Sequence, residues 1–302
     1  MHVLRVIISL AFLVSSVALV EAQTKKWDTK ALNDLIDSAN IIVDGQCSGT
    51  LIHATKRLVL TNYHCIQRKI SVKERTVVSP DGTIKKVKKQ KIDPVDVSQN
   101  RYQGHTKVGS RLYRSKIVGY KKVRDLALLR IEDKTFPNKM AMKLLSGDRK
   151  VRRGDMVTAI GNPMMLDASI STGVVASTTR TFKFRWADNE ELPMIQFTAG
   201  ISGGSSGGSL ILSDTGEMIG VPAAAARGTV VGLAIPIDVV LEALREWCFA
   251  SVYDRNADDA KCREKKKTKV IVVNAADGKQ KKIEVKDRST ESGLIQPMPF
   301  AR

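Results

Sequence analysis

Histidine is scarce in this 302-residue chain: only His2, His53, His64 and His105 occur, and none follows. Any chemistry in the remaining two thirds that needs an imidazole base must borrow it from the first third. Cysteine is equally sparse. Cys47, Cys65, Cys248 and Cys262 form no C-x-x-C pair, and no H-x-x-x-H spacing occurs, so a metal centre is not expected. Aromatic residues make up 5% of the chain and no nucleic-acid motif is present, which argues against specific nucleic-acid recognition. Beyond the N-terminus no apolar run approaches the roughly 20 residues that span a bilayer. Acidic residues are outnumbered 31 to 49 by Lys and Arg, leaving a net charge of +18.

Residues 1–22 have the form of a removable export leader. His2 and Arg5 precede Val6–Val20, which is apolar apart from serines, and Val20-Glu21-Ala22 has the small-residue form of a cleavage site. Cleavage near Ala22 predicts a secreted or periplasmic protein, a setting in which disulfides form. Four cysteines allow three pairings. The sequence-local pair, Cys47–Cys65 with Cys248–Cys262, is favoured, each bridge contributing about 3 kcal/mol in the chain-entropy model.

Trp27–Asn40 carries apolar residues at Trp27, Leu32, Leu35 and Ile36, the spacing of a short amphipathic helix capped by Asp28 or Thr29. From Ile41 onward short apolar runs alternate with Gly and polar turns. They include "LVLTNYHC", a hairpin around Pro80-Asp81-Gly82, two strands in "SKIVGYKKVRDLALLRIE", and a series from "DMVTAIGNP" to "VVGLAIPI". Asp238 is expected to cap a helix in "VVLEALREWC". A charged run after Cys262 leads into a hairpin turning at Asp277-Gly278. Many short strands with few helices indicate an all-β sandwich or barrel.

"GISGGSSGGSLIL", Gly200–Leu212, contains Gly-x-Ser-Gly-Gly twice, centred on Ser202 and on Ser206. A serine hydroxyl becomes a nucleophile only when a base takes its proton. The Ser–acid–His order of the α/β-hydrolase elbow is excluded, because no histidine follows either serine. A His–Asp–Ser order remains open. His64 ends a β-branched, apolar strand and so meets solvent from a rigid sheet, whereas His53 and His105 read as turn or surface residues. Asp125 opens the apolar strand "DLALLRIE", at the edge of a core. Ser206 is followed by two glycines and then the strand Leu210-Ile211-Leu212, while Ser202 has loop on both sides.

Five ordered blocks between Ile41 and Leu244 resemble the trypsin-like serine peptidases, most closely their HtrA/Do branch. They are "SGTLIHATKRLVLTNYHC", "KIVGYKKVRDLALLRI", "GDMVTAIGNPMMLDASISTGVVAS", "IQFTAGISGGSSGGSLILSDTGEMIGV" and "GLAIPID". The resemblance implies two six-stranded antiparallel β-barrels, about 41–135 and 150–237, within a peptidase domain of 23–250, followed by a basic extension, 251–302. It also implies catalysis by His64, Asp125 and Ser206, without cofactor or metal. The oxyanion hole falls on the N–H groups of Gly204 and Ser206. The substrate pocket falls on Gly200, Ile201, Ser202, Ala223 and Ala224, with small or medium apolar P1 residues favoured because Gly200 puts no acid at its floor. Two departures stand out. Ser205 replaces the aspartate that pairs with a new N-terminus in digestive relatives, so that zymogen switch is not expected. The 40 residues after Cys262 leave no room for a PDZ domain.

Charge is concentrated: Arg68–Lys122 carries 16 basic and 4 acidic residues, and Lys261–Arg302 carries 12 and 5. Protein or peptide substrates are the expected partners, and a salt-sensitive association with an anionic surface or polymer is a further expectation from these segments. Retention on an anionic matrix that is indifferent to salt would count against it. The competing function is a catalytically inactive relative that serves as a basic binding module.

Overall fold

The computed structural model describes residues 29–78, 84–104, 106–137, 140–226, 228–274 and 280–286. The leader, the Pro80-Asp81-Gly82 and Asp277-Gly278 turns, His105 and the C-terminal tail lie outside the described residues. Helix α1 (Thr29–Ala39) buries Leu35, Ile36 and Ala39, which share one face at helical spacing. Its Ser38 carbonyl accepts a hydrogen bond from Gln99 Nε2 at 2.7 Å, fastening the helix to the sheet beneath.

Strands β1 (Asn40–Val43), β2 (Cys47–His53) and β3 (Leu58–Thr61) follow. After β4 (Ile70–Val78) and β5 (Ile84–Ile92) come β6 (Val95–Gln103), β7 (Thr106–Lys121) and β8 (Leu126–Ile131). They close a barrel in the order β1-β2-β3-β8-β7-β6, with β1 returning to pair with β6. The runs LVLT of β3 and LALL of β8 are wholly buried, which explains their unbroken apolar character. β4 and β5 stand apart as a two-stranded antiparallel sheet.

The second barrel comprises β9 (Met156–Gly161), β10 (Ser169–Lys183), β11 (Glu191–Phe197), β12 (Ser209–Leu212), β13 (Met218–Ala225) and β14 (Gly232–Pro236). Its order is β10-β11-β14-β13-β12-β9, closed by β9 against β10. The fold is therefore the expected pair of six-stranded barrels. β12, the strand that follows the Ser206 loop, is buried throughout and paired on both sides, so the loop leaves from a fixed edge.

Helix α2 (Ile237–Glu246) corrects one expectation. Pro236, not Asp238, holds the cap position, with φ −63° and ψ 153°, and Asp238 lies inside the first turn. Proline's fixed φ lets the helix begin at the next residue, and the Asp238 carboxylate meets the positive end of the helix dipole instead. Just beyond α2, Trp247 covers Gly119 of β7 so closely that a β-carbon there would sit 2.5 Å from the indole. The charged run around Cys262 is also more ordered than its composition suggests. It forms helix α3 (Asp259–Lys267), and Asp258 Oδ1 accepts from Lys261 N at 2.9 Å, an N-capping bond. Disulfides join Cys47 to Cys65 and Cys248 to Cys262. β15 (Thr268–Asn274) and β16 (Gln280–Lys286) then pair antiparallel. Among the described residues, no helix is long and apolar enough to cross a membrane.

Candidate active site

A tight turn at Lys122–Arg124 ends in Asp125, whose φ of 51° and ψ of 39° are left-handed. Aspartate tolerates that region better than most residues. The turn throws the carboxylate back under β3. The Asp125 carbonyl accepts from Tyr63 N at 3.1 Å and Asn62 Nδ2 at 2.9 Å, so the segments carrying Asp125 and His64 are bonded through their backbones first. The side chains then meet. Asp125 Oδ1 accepts from His64 N at 2.9 Å, and Oδ2 lies 2.8 Å from His64 Nδ1. Asp125 has no exposed surface, whereas the His64 side chain is 22% exposed. A buried carboxylate on Nδ1 fixes one tautomer, with the proton on Nδ1 and the Nε2 lone pair directed outward.

Ser206 is brought to the same place by contacts between the barrels. Its carbonyl accepts from Ser48 N at 2.8 Å and lies 3.8 Å from Cys65 Sγ. The Cys47 and Cys65 sulfurs and a ring nitrogen of His64 gather within 4.8 Å of one another. Because both sulfurs belong to one disulfide, neither is a thiolate able to hold a metal. Ser206 Oγ donates to Ala223 O at 3.4 Å, a long hydroxyl bond, and no hydrogen bond joins it to His64 among the described residues.

The loop before Ser206 is braced from behind. Gly204 has φ +99°, and a β-carbon there would sit 2.3 Å from Asn162 O. Gly207 has φ +85°, with Ser48 O and Thr61 Oγ1 each 2.2 Å from the corresponding position. Both residues must therefore be glycine. Ser48 Oγ donates to Gly204 O at 2.7 Å and also meets Asn162 N at 2.8 Å, while Asn162 Nδ2 reaches Ile41 O at 3.3 Å. Ser205, Gly207 and Gly208 each spend their N–H on a carbonyl of the chain. Among the described residues, the N–H groups of Gly204 and Ser206 find no such acceptor.

Of the residues expected around the substrate pocket, Gly200 and Ile201 line a cavity of about 70 Å³ together with Ile160, Ile170, Ser205 and Pro222. Ser202, Ala223 and Ala224 are not part of that lining. Ser202 Oγ is buried without a hydrogen-bond partner among the described residues, and Ser202 N donates to Ser205 Oγ at 3.3 Å. His53 accepts from Lys56 N through Nδ1 at 3.2 Å. Burial, helped by the Lys56 charge, pushes its imidazole below the usual range. It closes a turn rather than joining the site.

Sequence reasoning missed Trp186. Its indole N–H donates to Asp125 Oδ2 at 3.0 Å, and its ring lies 5.5 Å from that of His64. A signal existed in the alternating aromatic residues Phe182, Phe184 and Trp186, although Trp186 itself sits in the short 3-10 turn Arg185–Ala187 beyond the strand. Phe184 stacks on Trp186 at 4.6 Å and Phe182 on Phe184 at 6.1 Å.

The family described as "Trypsin-like peptidase domain" matches residues 47–221. Serine protease HTRA1B of Danio rerio is 30% identical over 210 residues, covering 68% of this chain and 42% of that protein. The periplasmic pH-dependent serine endoprotease DegQ of Escherichia coli (strain K12) is 30% identical over 211 residues, 68% of this chain and 37% of its own. The chain thus spans about two fifths of the length of these curated relatives. A solved HtrA-type protease, AlgW with a tripeptide, is similar in fold, with a TM-score of 0.50 at 24% identity over 71% of this chain and 61% of that one.

Proposed function

The chain belongs to the trypsin-like peptidase domain family, and on that premise we propose that it is a serine endopeptidase working through an acyl-enzyme on Ser206. The observation that carries this reading is the His64–Asp125 pair, a partly exposed imidazole held at 2.8 Å by a wholly buried carboxylate. The reaction requires the Ser206 hydroxyl to leave Ala223 O and donate to His64 Nε2. His64 takes the proton as Oγ attacks a peptide carbonyl, and the carbonyl oxygen becomes an oxyanion. The free N–H groups of Gly204 and Ser206 receive that charge, a contribution of about 3 kcal/mol for each donor. His64 then protonates the leaving amine, and water, deprotonated by His64, releases the acyl group. Asp125 keeps the imidazole in the tautomer that accepts at Nε2 and stabilises the imidazolium.

One observation favours the alternative, a catalytically silent basic binding module: Ser206 Oγ rests on Ala223 O rather than on His64. Fluorophosphonate labelling followed by peptide mapping separates the two readings, because only an activated serine reacts. Label on Ser206 with hydrolysis of casein is the expected result. Label on Ser202, or none, overturns the proposal.

The P1 residue is expected to be small or medium and apolar, such as Val, Ala or Leu. Gly200 contributes no charge, and the residues that line the cavity with it, among them Ile160, Ile170, Ile201 and Pro222, are uncharged too. Profiling cleavage sites in a peptide library measures this. A preference for Lys or Arg at P1 would require a buried acid at the pocket floor and would refute it.

A further inference from the structure

We infer that Trp186 is a positioning residue of this centre, acting through its indole N–H on the Asp125 carboxylate; the inference rests on the serine-peptidase reading above. Each carboxylate oxygen offers two in-plane lone pairs. Oδ2 uses one on His64 Nδ1 at 2.8 Å and the other on Trp186 Nε1 at 3.0 Å, while Oδ1 takes His64 N at 2.9 Å. Three donors therefore fix the plane of a group that has no contact with solvent. Without the indole, one lone pair of Oδ2 is left buried and unpaired, and the carboxylate is free to rock about its Cβ–Cγ bond.

The indole is itself held. Phe184 stacks on one face with an interplanar angle of 18°, and the neighbouring Ala187 is wholly buried. Asp188, directly after this turn, forms an ion pair with Lys122, the first residue of the turn that ends in Asp125. The segment bearing the donor is thus tied twice to the segment bearing the acceptor, once by each polar contact. The Trp186 ring also lies beside that of His64, with centroids 5.5 Å apart and planes tilted by 57°.

Trp186→Phe in the full chain keeps an aromatic ring on Phe184 and removes the donor together with part of the ring's bulk. The expected result is a kcat about tenfold lower with KM unchanged, and a displaced proton resonance of His64 Nδ1–H, the proton shared with the same carboxylate. Trp186→Phe placed on Asp125→Ala should cost less than about twofold more, because the acceptor it acts through is already gone. An equal loss in both backgrounds, or an unmoved Nδ1–H resonance, assigns Trp186 a packing role and overturns the inference. Should Trp186→Phe not fold, the indole N–H resonance of Trp186 in the parent chain serves instead. It should shift on Asp125→Asn, and an unmoved resonance is equally fatal. A parent chain that neither hydrolyses casein nor takes label at Ser206 fails the peptidase reading itself. An active parent matched by Trp186→Phe fails this inference alone.

Discussion

Ser206→Ala lowers kcat for peptide hydrolysis by about a million-fold, whereas Ser202→Ala leaves it within about threefold of the parent chain. The two serines occupy the same five-residue motif, so the contrast has to come from their surroundings. Ser206 is bonded through its carbonyl to Ser48 of the first barrel and is followed within three residues by buried β12. Its hydroxyl has one long contact to leave behind, the 3.4 Å bond to Ala223 O. Ser202 Oγ is buried and unpartnered among the described residues, so alanine there deletes a hydroxyl that was making no bond. Initial rates on a fluorogenic peptide, normalised to folded protein, measure both. Comparable losses at the two positions would remove the case for Ser206 as nucleophile.

Asp125→Asn lowers kcat by about ten-thousand-fold while the barrels stay folded. The acid receives only donors: His64 N, His64 Nδ1 and Trp186 Nε1. Asparagine has one acceptor oxygen and one NH2 group. Whichever way the amide is turned, its NH2 faces a donor. With the oxygen on the Oδ1 side, the amide drives His64 to the tautomer protonated at Nε2, which cannot accept the serine proton. With the oxygen on the Oδ2 side, the backbone N–H of His64 loses its partner. The steady-state rate and the thermal midpoint should be read together. A rate loss below about a hundredfold, or one matched by unfolding, would deny Asp125 its orienting role.

Much of this arrangement is legible in the sequence because it is carried by local signals. The strands announce themselves by β-branched and apolar runs. His64 and Asp125 each stand at the end of such a run, which is where a fixed sheet meets a solvent-facing cleft. Ser206 is separated from Ser202 by the strand that follows it. What stays hidden is set by contacts distant along the chain. Trp186 follows Asp125 by 61 residues, and nothing near it specifies that its N–H faces a carboxylate. Ser48 and Asn162 are unremarkable in their own segments, yet together they hold the Gly204 carbonyl and β1 of the first barrel. The cap of α2 is not legible in the sequence because aspartate favours two neighbouring positions, the cap and the first turn, and only the backbone angles of Pro236 separate them. Helix α3 escapes notice because its stability comes from the Asp258 cap and the bridge to Cys248 rather than from an apolar face.

The donors to the Asp125 carboxylate come from both halves of the molecule: His64 follows β3 of the first barrel, and Trp186 lies between β10 and β11 of the second. The acid is therefore a pin through the joint. A shift of one barrel against the other would strain one of these bonds, which ties the setting of the imidazole to the joint between the halves.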